Sequence, residues 1–189
     1  SLEYVNSCGN NYFHIMAENS FKLKRINDIE YVKKIIQYIF NNINEALLDN
    51  VNIEDNNILH LAMKCGPTWF IKIIINKTHN KLLSNINKKG FTPIHELLIY
   101  NNSHTANEIL QYVNTKYPKH IITKDKNKNN IIHIAAQYNK MKEIRFMNTL
   151  NIDLFEQQNN SLYKPVCILY DKFFFHLSEN NIEKAKQIT

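Results

Sequence analysis

The stretch Gly90-Phe91-Thr92-Pro93-Ile94-His95-Glu96-Leu97-Leu98 decides the fold, because its pattern of one histidine ringed by apolar residues returns along the chain. It recurs as Gly9-Asn10-Asn11-Tyr12-Phe13-His14-Ile15-Met16-Ala17, as Asp55-Asn56-Asn57-Ile58-Leu59-His60-Leu61-Ala62-Met63, and as Lys128-Asn129-Asn130-Ile131-Ile132-His133-Ile134-Ala135-Ala136. Successive histidines lie 46, 35 and 38 residues apart. A fifth window, Leu162-Tyr163-Lys164-Pro165-Val166-Cys167-Ile168-Leu169, follows 34 residues after His133 with cysteine in the slot. Eight residues before each slot stands Asn6, Asn52, Asn87, Asp125 or Asn159. A period of this size marks a repeat architecture.

Between the windows a second apolar set falls at helical spacing: Val32, Ile35, Ile36 and Ile39, then Trp69, Phe70, Ile73 and Ile74, then Ile109, Leu110 and Val113, then Ile144, Met147 and Leu150. Each unit therefore reads as two helices. One pair cannot bury its apolar face alone, and stacked neighbours close the core. The Asn or Asp at the second register suits a turn, since its side chain can bond its own backbone two residues on and tolerates positive φ. The first unit is longer, with Asn19–Asp28 as an insertion that lengthens a helix or the loop between helices.

The third window is nearly the Thr-Pro-Leu-His signature that opens the first helix of an ankyrin repeat, and the chain resembles an ankyrin-repeat array over roughly residues 6–189. The resemblance implies an all-α solenoid of about five helix-turn-helix repeats with short hairpin fingers. Residues 1–189 then form one domain, alone or within a longer protein, with repeats near 6–51, 52–86, 87–124, 125–158 and 159–189. It implies that His14, His60, His95 and His133 are structural, bonding the backbone of adjacent hairpin loops. The family's glycines after the helices are mostly missing. Gly66 fills one such place, and Asn19, Asn101 and Asn139 are the substitutes near the others.

Composition narrows the chemistry. The chain has 189 residues, 44% apolar and 21% charged, with only three glycines and four prolines, which suits a packed protein and disfavours phosphate-cradling glycine loops. It holds 30 Asn and 21 Lys against two Arg, a bias shared with A/T-rich genomes. The net charge of +6 comes without an arginine stripe. Three distant cysteines, Cys8, Cys65 and Cys167, point to a reducing intracellular compartment. No run approaches a membrane span. The His and Cys residues lack the local spacing of zinc sites, no cofactor is implied, and His79, His104, His120 and His176 read as surface or loop residues. The segment Lys172-Phe173-Phe174-Phe175-His176-Leu177 is too apolar to end a free-standing array; either Ser178–Ile188 folds back over it or it docks on a further domain or another chain.

Carried slot by slot, the resemblance places a partner site on the concave face made by fingertips and inner-helix ends. The candidates are Ile53, Glu54, Asn56, Lys64 and Cys65 in repeat two, Lys88, Lys89, Phe91, Ile99 and Tyr100 in repeat three, and Lys126, Asn127, Asn129, Gln137 and Tyr138 in repeat four. Phe91, Ile99, Tyr100 and Tyr138 are large side chains at slots expected to face solvent. The implied function is a non-enzymatic protein-protein interaction module. With the A/T-type composition it resembles the ankyrin effectors of intracellular bacterial pathogens and of large DNA viruses, which act on a host protein; the first reading is a bacterial effector secreted into the host cytoplasm, the next a viral or protist protein. Two alternatives stand: a targeting domain of a larger enzyme whose catalytic part lies outside this chain, and lysine-mediated binding of nucleic acid or phosphate.

Overall fold

The computed structural model describes residues 4–25, 28–150 and 154–178, together with Lys186. Among them regular structure is all helix: α1 (Tyr12–Glu18), α2 (Ile29–Asn41), α3 (Ile58–Cys65), α4 (Thr68–Lys77), α5 (Pro93–Tyr100), α6 (Ser103–Lys116), α7 (Pro118–Ile121), α8 (Ile131–Gln137), α9 (Met141–Asn148) and α10 (Pro165–Ser178). Helices α1, α3, α5, α8 and α10 each contact the next in that order, and α2, α4, α6 and α9 do the same in a second row. Pairs α3–α4, α5–α6 and α8–α9 join the rows. No helix among the described residues is long and apolar enough to cross a membrane.

The first-row helices α1, α3, α5 and α8 are only two turns long, too short to stand alone in water. Burial holds them. In α5 every residue from Pro93 to Ile99 is buried, and in α3 every residue from Ile58 to Met63. Each fully buried Ile or Leu is worth about 1.5–3 kcal/mol. The second row closes the core with Phe40, Phe70, Ile74, Ile109, Leu110 and Val113. Its first member is different: Ile35, expected in the core, is 41% exposed, because α2 ends its row and has a neighbour on one side only.

Each first-row helix is preceded by the same turn. The carbonyls and side chains of Asn6, Asn52, Asn87, Asp125 and Asn159 organise it. The Oδ1 of Asn52 accepts from the N–H of Glu54 and of Asn56, both at 3.0 Å. Asp125 does so from Asn127 and Asn129 at 2.8 and 2.7 Å, and Asn159 from Ser161 and Tyr163 at 2.9 and 3.0 Å. The left-handed residue of the turn is not this Asn but the one three places on: Gly9, Asp55, Gly90, Lys128 and Leu162, at φ 71°, 56°, 87°, 59° and 63°. An L-residue there costs about 1–2 kcal/mol, offset in part by the extra chain entropy that glycine loses on folding. Leu162 is 71% exposed and packs little. Leu162→Gly is therefore expected to raise stability by up to about 1 kcal/mol, read as a rise of roughly 2–4 °C in the thermal midpoint.

The insertion forms a 3-10 helix, Ser20–Arg25, lying against α1 and α3. Gly66 has a steric reason: a Cβ there would sit 2.7 Å from the Ala62 carbonyl oxygen and 2.9 Å from Ser20 Oγ. Asn101 ends α5 at φ −83° with its amide donating to the Met63 and Gly66 carbonyls at 3.0 and 3.2 Å. Of the three substitutes only Asn139 takes positive φ, at 55°. The expected fold-back of Ser178–Ile188 lies outside the described residues.

Candidate functional site

A fixed hydrogen-bonded frame separates the residues that build the protein from those it presents. Asn57, Thr92 and Asn130 cap α3, α5 and α8, and each backbone N–H donates to the Nδ1 of the histidine three residues on, at 3.2, 3.2 and 3.3 Å. The other ring nitrogen then carries the proton. His14 Nε2 donates to the Asn56 carbonyl at 3.1 Å, His60 to Phe91 at 3.0 Å and His133 to Tyr163 at 2.8 Å. Each ring thus ties its helix to the turn of the next unit. Burial lowers the proton affinity of all four slot histidines, with His60 and His95 pushed down to about 4, so the rings are neutral at pH 7.

Asparagine adds a second tie that threonine lacks. The Nδ2 of Asn11, Asn57 and Asn130 donates to the Leu47, Leu82 and Leu154 carbonyls at 2.8, 3.2 and 2.8 Å. A further row of amides links the turns: Asn52 to Asn10 at 2.8 Å, Asn87 to Asn56 at 2.9 Å, Asn159 to Asn129 at 2.8 Å. The row breaks between the third and fourth turns, where the side chain of Asp125 has no N–H to give and that of Phe91 no acceptor. At the same junction His95 Nε2 has no partner among the described residues.

Against this frame three of the expected contact residues move out of the site. Asn56 and Asn129 are buried, since both are members of the amide row. Ile99 is 9% exposed, because α5 has α3 on one side and α8 on the other. Phe91 is half-buried against the core, its ring 6.2 Å from that of His95. Most of the rest are presented. Ile53, Glu54, Lys88, Lys89, Lys126 and Asn127 are exposed at the turn tips, and Tyr100, Gln137 and Tyr138 at the ends of α5 and α8. Lys64 is partly buried, its ammonium 5.5 Å from the centre of the Tyr100 ring. Cys65 is also partly buried, its thiol 3.4 Å from the Glu18 carbonyl oxygen. Lys172 Nζ donates to the Gln137 carbonyl, and burial lowers its pKa.

Two polar clusters escaped sequence reading. Glu96 is fully buried at a slot where the other windows hold Ile15, Leu61, Ile134 and Ile168. Its Oε1 accepts from Asn87 Nδ2 at 2.7 Å and lies 3.6 Å from Lys64 Nζ. Its break from the apolar pattern was the available signal. His120, expected at the surface, is buried between Ser84 Oγ at 2.7 Å and Asn80 Oδ1 at 2.8 Å. A hydroxyl beside an imidazole can be activated by it, but burial lowers the proton affinity of this ring and weakens it as a base. The bonds fasten Asn80 and Ser84, at the two ends of a short 3-10 turn, to α7. No sequence period reports that pairing, which spans 36 and 40 residues.

No protein-family model matches the chain, and no curated protein matches it either.

Proposed function

We propose that the chain is an ankyrin-type array whose fingertips and inner-helix ends form a concave face that binds a protein partner without catalysis. The observation that carries this reading is the division of labour along each unit. Most Asn, Asp and His side chains of the frame are buried and bonded within it, while residues between them are left exposed in a row of touching turns. Support for the ankyrin reading comes from the recurring turn, the capped two-turn helix and the ring-to-next-turn bond. Such a frame holds side chains in place before a partner arrives, which lowers the ordering cost of binding.

Tyr100 and Tyr138 are the anchors of this face, at 53% and 40% exposure. Tyrosine contributes large contact area at low entropy cost and is enriched among binding hot spots. Phe91 is a poor probe, since its half-buried ring supports the core. The test is affinity capture from eukaryotic cytosol with the native chain and with Tyr100→Ser/Tyr138→Ser, both checked for helicity by circular dichroism. A protein retained by the native chain and weakened at least about tenfold in the variant is expected, since hot-spot loss costs 2 kcal/mol or more. Equal retention by both chains would place the site elsewhere.

A further inference from the structure

The charge of the exposed tips changes along the row of turns. Adjacent tips are joined by backbone hydrogen bonds: Ile53 N–H to the Cys8 carbonyl, Lys88 to Glu54, Lys126 to Gly90 and Asn160 to Asn127, at 3.1, 3.0, 3.1 and 2.9 Å. Chain order is therefore spatial order. The second tip carries Glu54 and Asp55, the third Lys88 and Lys89, the fourth Lys126 and Lys128, and the fifth the uncharged Asn160, Ser161 and Leu162.

Those four lysines are exposed, and none makes an ion pair or a side-chain hydrogen bond among the described residues. Only some lysines elsewhere do: Lys33, Lys77, Lys81 and Lys164 each meet a carboxylate at 2.6–3.0 Å. The crowding is also held in place. Gly90 leaves room for the stem of Lys126, since a Cβ there would come within 2.3 Å of Lys126 Cγ and Cδ. Lys128 occupies the left-handed slot that glycine fills at tips one and three, a conformation unfavourable to lysine. Asp55 and Leu162 share that backbone conformation at their tips, so what sets tips three and four apart is charge: two adjacent lysine-bearing tips beside an acidic one, with no ion pair among the described residues linking them.

The geometry points to an acidic protein segment as the occupant of the third and fourth tips, with a basic residue of the same segment against Glu54 and Asp55. This rests on the reading of the tip and helix-end face as a binding face and names the chemistry of its partner. A polypeptide can change charge sign between neighbouring tips. A nucleic-acid backbone cannot, and its next phosphates would meet Glu54 and Asp55. One face of the Tyr100 ring, on which a base would stack, carries the Lys64 ammonium.

The experiment is fluorescence anisotropy of the native chain with three labelled probes: a hexa-aspartate peptide ending in a lysine pair, a peptide of the same composition with the charges interleaved, and oligothymidylate of matching length. The blocked peptide is expected to bind most tightly and to weaken as salt rises. Lys88→Glu/Lys126→Glu should weaken it at least about tenfold. Lys128→Gly should weaken it as well while leaving the thermal midpoint unchanged or higher, which excludes misfolding as the cause. Equal or tighter binding of oligothymidylate would overturn the proposal in favour of a nucleic-acid face. So would absent peptide binding, or binding indifferent to the three lysine changes. If the peptide fails while a captured protein still depends on Tyr100 and Tyr138, the binding-face reading stands and the acidic partner falls.

Discussion

Acidifying the protein from pH 7 towards pH 4 is expected to remove several kcal/mol of stability before the exposed carboxylates are fully protonated. His60 and His95 ionise near 4 in the folded chain, against about 6.5 when unfolded, because burial penalises the charged ring. Above pH 6.5 both states hold the rings neutral and the stability is complete. As pH falls below 6.5 the unfolded state binds protons that the folded state refuses, so stability drops until about pH 4 and these rings add no further loss below that. Each contributes on the order of 3 kcal/mol over the window. Burial also lowers His14, His120 and His133, in the same direction. Urea unfolding followed by far-ultraviolet circular dichroism at a series of pH values measures the loss. His60→Gln, whose amide does not titrate, should flatten the dependence between pH 6.5 and 4. An unchanged slope would mean that the His60 ring is not held neutral.

Asn130 should be the costliest single polar residue to truncate. Its Oδ1 accepts from the N–H of Ile132 and His133 at 3.0 and 3.1 Å, and its Nδ2 donates to the Leu154 carbonyl at 2.8 Å, all at full burial. Asn130→Ala removes a cap worth about 0.5–2 kcal/mol and leaves buried groups without partners at about 1–3 kcal/mol. A loss of about 3 kcal/mol in urea unfolding is expected. Asn130→Thr separates the terms. The hydroxyl keeps the cap, as Thr92 does for α5, and only the link to Leu154 is lost, for about 1–2 kcal/mol. Equal losses in the two variants would show that the tie to Leu154 carries nothing.

The reach of sequence reasoning follows the range of the bonds involved. The turns were legible because Asn52, Asp125 and Asn159 bond N–H groups two and four residues ahead. The helix starts were legible because each capping bond spans three residues. Tyr100, Tyr138 and the tip lysines were located by counting from these markers. Ile99, Asn56 and Asn129 are misplaced by the same count, since nothing local shows that the end of α5 is wedged between two neighbours or that the two turn amides accept bonds from the next turn 30 residues or more away.

By itself the sequence determined the period, the two-helix unit and the residues that open each helix, because these depend on short-range bonds and on the spacing of apolar side chains. Only the tertiary structure decided which slots remain open to solvent, where the amide row breaks at Phe91 and Asp125, and that His120 pairs with Ser84 and Asn80. Those outcomes depend on contacts between segments tens of residues apart, whose geometry is settled when the units pack.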